Sequence, residues 1–78
     1  MRREYVDVIV RVAASGAETP RAIIMADGRM FGIDRTTYRT HVAGGLRYTV
    51  HIGSHVTHLY KDTCSSPGAR WYVQPHDA

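Results

Sequence analysis

Three observations predict that this 78-residue chain forms a small all-β protein. Two strand-like runs flank the dipeptide Gly53-Ser54, and two apolar runs flank Asp27-Gly28; both dipeptides are typical of tight turns between paired strands. Residues 5–12 alternate valine with other side chains, which is the two-residue period of a half-buried strand. β-Branched and aromatic residues are frequent, whereas no segment has the composition of a long helix.

The hairpin around Gly53-Ser54 has a register that its turn specifies. Glycine at the first central position of a two-residue loop suits a type II′ turn, because that position needs a positive φ. Ile52 then lies opposite His55, and alternation assigns the side chains to two faces. The face expected to enter the core carries Leu46, Tyr48, Val50, Ile52, Thr57 and Leu59, and the other carries Arg47, Thr49, His51, Val56, His58 and Tyr60.

A second hairpin is predicted over residues 21–34, around Asp27-Gly28. A two-residue loop would place Ala26 opposite Arg29 and pair Arg21 with Asp34. One face then carries Ala22, Ile24, Phe31 and Ile33, and the other carries Ile23, Met25, Met30 and Gly32. Because both faces are partly apolar, we expect either a strongly bent barrel or a contact with another subunit.

The remaining segments complete a chain of six or seven short strands. Val6, Val8, Val10 and Val12 are expected to face the core, residues 13–20 and 61–69 are expected to be loops, and residues 36–42 and 70–74 are expected to be strands. Closure protects strand edges in a chain with so many short strands. The sequence therefore predicts one domain over residues 1–78, a small SH3-like or Sm-like barrel of five to seven antiparallel strands.

Size and composition favour binding over catalysis. A domain of this length buries only about 60–65% of its unfolded surface, which leaves little room for a substrate cavity with supporting residues. We expect no enzyme activity and no cofactor. Cys64 is the only cysteine, so an internal disulfide is excluded, and no apolar run approaches the roughly 20 residues of a membrane span. The net charge is +3, and we expect a cytoplasmic protein without a membrane partner.

Short motifs follow one another along most of the chain. They are Pro20 before an apolar strand, Asp27-Gly28-Arg29, Ile33-Asp34, Arg47-Tyr48-Thr49-Val50, Thr57-His58-Leu59-Tyr60 and Gly68-Ala69-Arg70-Trp71-Tyr72-Val73. In this order they resemble small bacterial β-barrel proteins of uncharacterised function. The motifs concern turns and strand packing, so the resemblance implies a shared fold more than a shared activity. Some similar-looking proteins are associated with translesion DNA polymerases, which implies a DNA-repair setting.

The histidines of the first hairpin are the candidate metal ligands. Register places His55 on the core side, whereas His51 and His58 are diagonal neighbours on the opposite face. A stable zinc site needs three or four ligands, and a third would have to come from His41 or Cys64. We therefore predict no metal. Cys64 has no neighbouring base and is expected to be an incidental thiol, and the carboxylates are too scattered for hydrolytic catalysis.

The basic and aromatic face of the same hairpin is the candidate functional surface. It carries Arg47, His51, His58 and Tyr60, and we expect Arg39 and His41 to extend it from the neighbouring strand. Cations bind phosphates and tyrosines stack on bases, so this face predicts DNA or RNA binding, with affinity that rises when the histidines are protonated. The alternative is an ordinary solvated strand face.

A protein-interaction module is the alternative function. Ile23, Met25 and Met30 are predicted to form an apolar strand face that contacts a second copy or a protein partner. Trp71 is expected to pack in the core rather than to stack on a base.

Overall fold

The computed structural model describes residues 3–64 and 70–74, and in these ranges the regular structure consists of antiparallel strands. The strands are β1 Glu4–Val12, β2 Glu18–Ile24, β3 Met30–Gly32, β4 Arg35–Val42, β5 Gly45–Ile52, β6 His55–Asp62 and β7 Arg70–Val73. They form one sheet in the order β3-β2-β1-β7-β6-β5-β4. The all-β prediction is confirmed. No helix long and apolar enough to cross a bilayer occurs in the described ranges.

The sheet is curled because a two-residue link joins its two outermost strands. The amide of Ile33 donates to the carbonyl of Arg21 at 2.8 Å, which continues the β2–β3 pairing. The next amide, that of Asp34, donates to the carbonyl of His51 at 2.8 Å, which continues the β4–β5 pairing. Consecutive residues thus bond to opposite ends of the sheet, and the sheet bends into a half-barrel, as the barrel prediction required.

The inner face of the curled sheet is the core. Val50 and Leu59 are completely buried, and Val6, Ile23, Ile33 and Tyr48 complete the central cluster. Trp71 packs against this cluster as predicted, with its ring 5.6 Å from that of Tyr48. Burial of apolar surface on a single curled face is the main stabilising term for so small a domain.

The β5–β6 hairpin has the predicted register and faces. Ile52 pairs with His55, and the pairing continues to Gly45 opposite Asp62. Gly53 has a φ of 60°, while no described non-glycine residue has a positive φ. This combination, positive φ at the first central residue only, is that of the predicted type II′ turn.

The register predicted for the β2–β3 hairpin is wrong by one residue. Its loop has three residues, Ala26 to Gly28, because the amide of Met25 donates to the carbonyl of Arg29 at 2.8 Å and that of Gly28 to the carbonyl of Met25 at 2.9 Å. Gly28 has a φ of 92°, the left-handed conformation that closes a three-residue loop. The Asp27 carboxylate secures the loop by accepting from the amide and the guanidinium of Arg29.

This shift of one residue separates the three residues of the predicted apolar interface. A one-residue slip moves every side chain of a strand to the opposite face. Ile23 now lies opposite Phe31 and belongs to the core, and Met25 packs against the same cluster. Met30 lies opposite Ile24 and is 63% exposed. Ile23, Met25 and Met30 therefore form no common surface.

The predicted Arg21–Asp34 pair is likewise replaced. The Asp34 carboxylate accepts a hydrogen bond from the amide of Gly53 at 2.7 Å, which ties the link between β3 and β4 to the β5–β6 turn. Arg21 is the extra residue of a bulge, since Ala22 pairs with Ile9 and Pro20 with Val10.

Three further details differ from the prediction. β2 begins at Glu18, inside the predicted loop over residues 13–20, and Pro20 is buried opposite Val10. Pro20 is compatible with the strand because no described strand pairs with it on its other side. The valine face of β1 does not reach its end, since Val12 is exposed. The predicted loop over residues 61–69 begins later, at Thr63, and its residues 65–69 lie outside the described ranges.

We predict that Gly53→Val destabilises the protein by roughly 1–3 kcal/mol, because a β-branched residue is strained at positive φ. Gly32→Val is the matched control: Gly32 has no positive φ, and a Cβ there would meet open space. Chemical denaturation of the two variants checks the difference. Equal stabilities would contradict the turn assignment.

A second matched pair tests the core. Val50→Ala should lower the free energy of unfolding by roughly 2–3 kcal/mol, from lost burial and the cavity left behind. Val56→Ala, on the adjacent strand, should change it by less than about 0.5 kcal/mol because Val56 is 59% exposed. Losses of similar size in the two variants would show that the inner face is not the core.

Candidate nucleic-acid interface

The convex side of the sheet carries a continuous row of aromatic and basic side chains. We call this surface the outer face, and define it as Arg3, Tyr5, Arg70, Tyr72, His58, Tyr60 and Arg47. Strand pairing aligns its central members, since Tyr5 lies opposite Tyr72, Tyr72 opposite Tyr60, and Tyr60 opposite Arg47. Four strands, β1, β7, β6 and β5, thus contribute to one line across the sheet.

Three tyrosines form the centre of this line, which we call the tyrosine row: Tyr5, Tyr72 and Tyr60. The rings of Tyr60 and Tyr72 are stacked at 5.0 Å with an interplanar angle of 4°. The rings of Tyr5 and Tyr72 meet edge to face at 5.8 Å. Tyr72 is only 6% exposed although it lies on the outer side of the sheet. The side chains around Tyr72 therefore shield it from most of the solvent.

Two arginines lie over this row. The guanidinium carbon of Arg70 is 3.8 Å from the centre of the Tyr5 ring, and that of Arg3 is 4.4 Å from the centre of the Tyr72 ring. Each arginine is diagonal to its tyrosine across the β1–β7 pair, so alternation along both strands produces the contacts. Both are cation–π contacts, in which the guanidinium keeps its charge.

Acidic groups offset only part of this positive charge. The Asp62 carboxylate is 3.5 Å from the guanidinium of Arg3, and Asp7 follows Tyr5 on the same side of β1. The hydrogen bond with Tyr5 raises the pKa of Arg3, and Tyr72 and Asp62 add to the effect. By alternation the described convex side carries Arg3, Arg11, Arg35, Arg47 and Arg70 against Asp7 and Asp62.

The structure brings together three of the predicted site residues. Arg47, His58 and Tyr60 share the outer face, with the rings of His58 and Tyr60 6.5 Å apart. Arg47 is half-buried between its cross-strand neighbours Thr40 and Tyr60. Its Nε is buried and has no hydrogen-bond partner among the described residues.

His51 lies on the same side but is already engaged. Its Nε2 is 3.1 Å from the hydroxyl of Thr37, the extra residue of a bulge in β4. The β5–β6 register makes His51 a diagonal neighbour of His58, as predicted. The contact with Thr37, however, holds the His51 ring at the β4 side of the sheet.

The expectation that Arg39 and His41 extend this surface is wrong. Arg39 lies opposite Tyr48 and His41 opposite Leu46, so both belong to the inner side of β4. The physical reason is the turn between β4 and β5: Val42 pairs with Gly45, and alternation back from that pair puts Arg39 and His41 on the inner side. The bulge at Thr37 shifts the faces only of the residues that precede it in β4.

Four members of the outer face were missed from the sequence: Arg3, Tyr5, Arg70 and Tyr72. The available signal was the alternation Arg-x-Tyr, which occurs at residues 3–5 and again at residues 70–72. It indicates that each arginine shares a face with its tyrosine, but not that the two strands pair. That pairing joins the two ends of the described chain.

The arrangement suits contacts with phosphate. An arginine stacked on an aromatic ring has restricted side-chain motion, and the N–H groups at the edge of its planar guanidinium remain able to donate. Arg70 is exposed, and the side chain of Arg3 is 48% exposed. The tyrosines hold these cations in place, while one face of the Tyr60 ring is already covered by Tyr72.

No three histidine, cysteine or carboxylate side chains come together as a metal site in the ranges described. Cys64 is a free, exposed cysteine. Comparisons with protein-family models, with curated proteins and with solved structures find no match to this chain. The resemblance to small bacterial β-barrel proteins therefore stays a prediction from the sequence.

Proposed function

We propose that this protein is a non-catalytic nucleic-acid-binding module that contacts the phosphate backbone through its outer face. The observation that carries the proposal is the position of Arg70 and Arg3, held 3.8 and 4.4 Å above tyrosine rings on a convex, net basic surface. Preorganised guanidinium groups lose little conformational entropy on binding, which favours them as phosphate contacts. The cytoplasm, where nucleic acid is accessible, is the compartment that fits this function.

The proposed contact is independent of base sequence. Phosphate contacts position a nucleic acid without reading its bases, and the rings of the tyrosine row are partly covered by one another and by arginines. We propose a single strand as the preferred ligand, because a flexible strand can follow a convex surface about the width of four strands. Affinity should be modest, since few cations are involved.

Salt dependence provides the test. Binding of an oligothymidylate of about 20 nucleotides should weaken steeply between about 50 and 200 mM salt as counterions are released. Arg70→Gln should weaken binding to every sequence and reduce the magnitude of the salt slope by about 0.7, the value for one phosphate contact to a single strand. Fluorescence anisotropy measures both quantities.

Arg39→Gln is the matched control, because it removes the same charge from the inner side of β4. Its affinity and salt slope should equal those of the wild type within error. Thermal melting of both variants verifies that the fold is intact. If the two substitutions weakened binding equally, binding would depend on the overall charge of the protein and not on the outer face. If no single strand, duplex or RNA bound at about 50 mM salt, the proposed function would be refuted.

A further inference from the structure

A groove separates the start of β2 from β4, at the place where the half-barrel is open. We call it the seam groove; it has a volume of about 270 Å³ and is lined by residues 17–20, residues 36–39 and Tyr48. β4 is the last strand of the sheet and pairs only with β5 among the described strands. On the other wall, β2 pairs with β3 only over Ala22 to Ile24. Two strand edges thus face each other across the groove.

The two walls differ in the backbone hydrogen-bonding groups that they offer to an added strand. The β2 wall contains Pro20, which has no N–H and is characteristic of edges that do not accept another strand. The β4 wall has eight residues, none of them proline, and its outer edge pairs with no described strand. Some Cα atoms of β2 and β4 lie within 8 Å of each other, too close for a strand between them, so a ladder can form only along the part of β4 beyond these contacts. The groove therefore favours strand addition to β4.

A buried hydroxyl at the groove points to the same site. Thr36 Oγ1 is buried and has no hydrogen-bond partner among the described residues. Buried polar groups in folded proteins are almost always hydrogen-bonded, and an unpaired one is costly. Thr36 lines the seam groove and lies opposite Val50, so it is next to both the free edge and the core.

The positive charge of β4 indicates which side chains an added strand should carry. Arg35, Arg39 and His41 are exposed, and β4 contains no acidic residue. Glu18, on the opposite wall, is already paired with Lys61. A second β4 carries the same cations and no acidic residue, so it offers this edge no charge complementarity, which disfavours self-pairing. A strand with glutamate or aspartate side chains would complement this edge.

We propose that the seam groove binds an acidic peptide segment of a partner protein, which adds to β4 in an extended conformation. Main-chain hydrogen bonds along β4 would supply affinity, and the arginines would supply the preference for acidic side chains. The exposed ring of Tyr38, at the mouth of the groove, offers apolar contact for a side chain of the added strand. This site is separate from the outer face.

The probe is an eight-residue peptide of alternating valine and glutamate, titrated against the full chain and followed by NMR. The backbone amides of residues 35–42 should shift, and those on the free edge should exchange more slowly with solvent. Arg39→Gln should weaken binding by about tenfold, the scale of one charge-assisted contact. Arg70→Gln, the same charge change on the outer face, should leave peptide affinity unchanged.

Two further comparisons make the test specific. The same peptide with N-methyl groups on alternate residues should not bind, because it lacks the main-chain donors. Thr36→Val should weaken peptide binding without lowering the melting temperature, since it removes a hydroxyl that has no partner in the free protein. A peptide with lysine in place of glutamate should bind at least about tenfold more weakly.

The proposal is overturned if the alternating peptide does not bind, if the lysine peptide binds equally well, or if the shifted amides lie around Tyr60 and Arg47 instead of on β4. Oligothymidylate binding provides the independent readout. Arg70→Gln impairs that binding and spares peptide binding, whereas Arg39→Gln does the reverse, so failure of one site does not imply failure of the other.

Discussion

Curling of one sheet onto its own inner face is the constraint on which the rest of this structure depends. Residues 3–64 and 70–74 form one sheet without a second layer, and such a sheet can bury apolar side chains only by bending around them. Val50 and Leu59 are fully buried on that account. The bend is secured where successive amides of Ile33 and Asp34 bond to opposite ends of the sheet. Lys61 and Glu18 add an ion pair between β6 and the start of β2, and Lys61 also lies over Trp71.

The same curvature divides the molecule into surfaces with different chemistry. Alternation sends the apolar side chains inward, so the convex side receives tyrosines and arginines that a flat, two-layered protein would cover. There the rings of Tyr72 and Tyr5 restrict the side-chain motion of Arg3 and Arg70, so these positive charges are held in defined positions. At the seam, incomplete closure leaves the edge of β4 unpaired within the described chain. A half-barrel thus offers both a convex face and an open edge, and each suits a different class of ligand.

The sequence specifies the register of a hairpin only where its turn residues are compatible with one loop length. The β5–β6 hairpin was predicted in register because a glycine at one defined turn position fixes the pairing of the residues on both sides. The β2–β3 hairpin was predicted one residue out of register, because Asp27-Gly28 is compatible with loops of two or three residues. That single residue moved Ile23 into the core and Met30 to the opposite face. Arg39 was misplaced because no pattern within β4 fixes its pairing with β5, in which Val42 lies opposite Gly45 and Arg39 opposite Tyr48.

By itself the sequence determined that the protein is all-β, that Leu46 to Leu59 supply much of its core, and that Arg47, His58 and Tyr60 share a face. These properties follow from alternation and from one tight turn, which act over a few residues. Only the tertiary structure decided that Arg3 and Arg70 meet over tyrosine rings and that β4 is left at an open seam. The first depends on the pairing of β1 with β7, far apart in the chain, and the second on the order in which the strands pair across the curled sheet. Both are long-range, and no local pattern of residues specifies them.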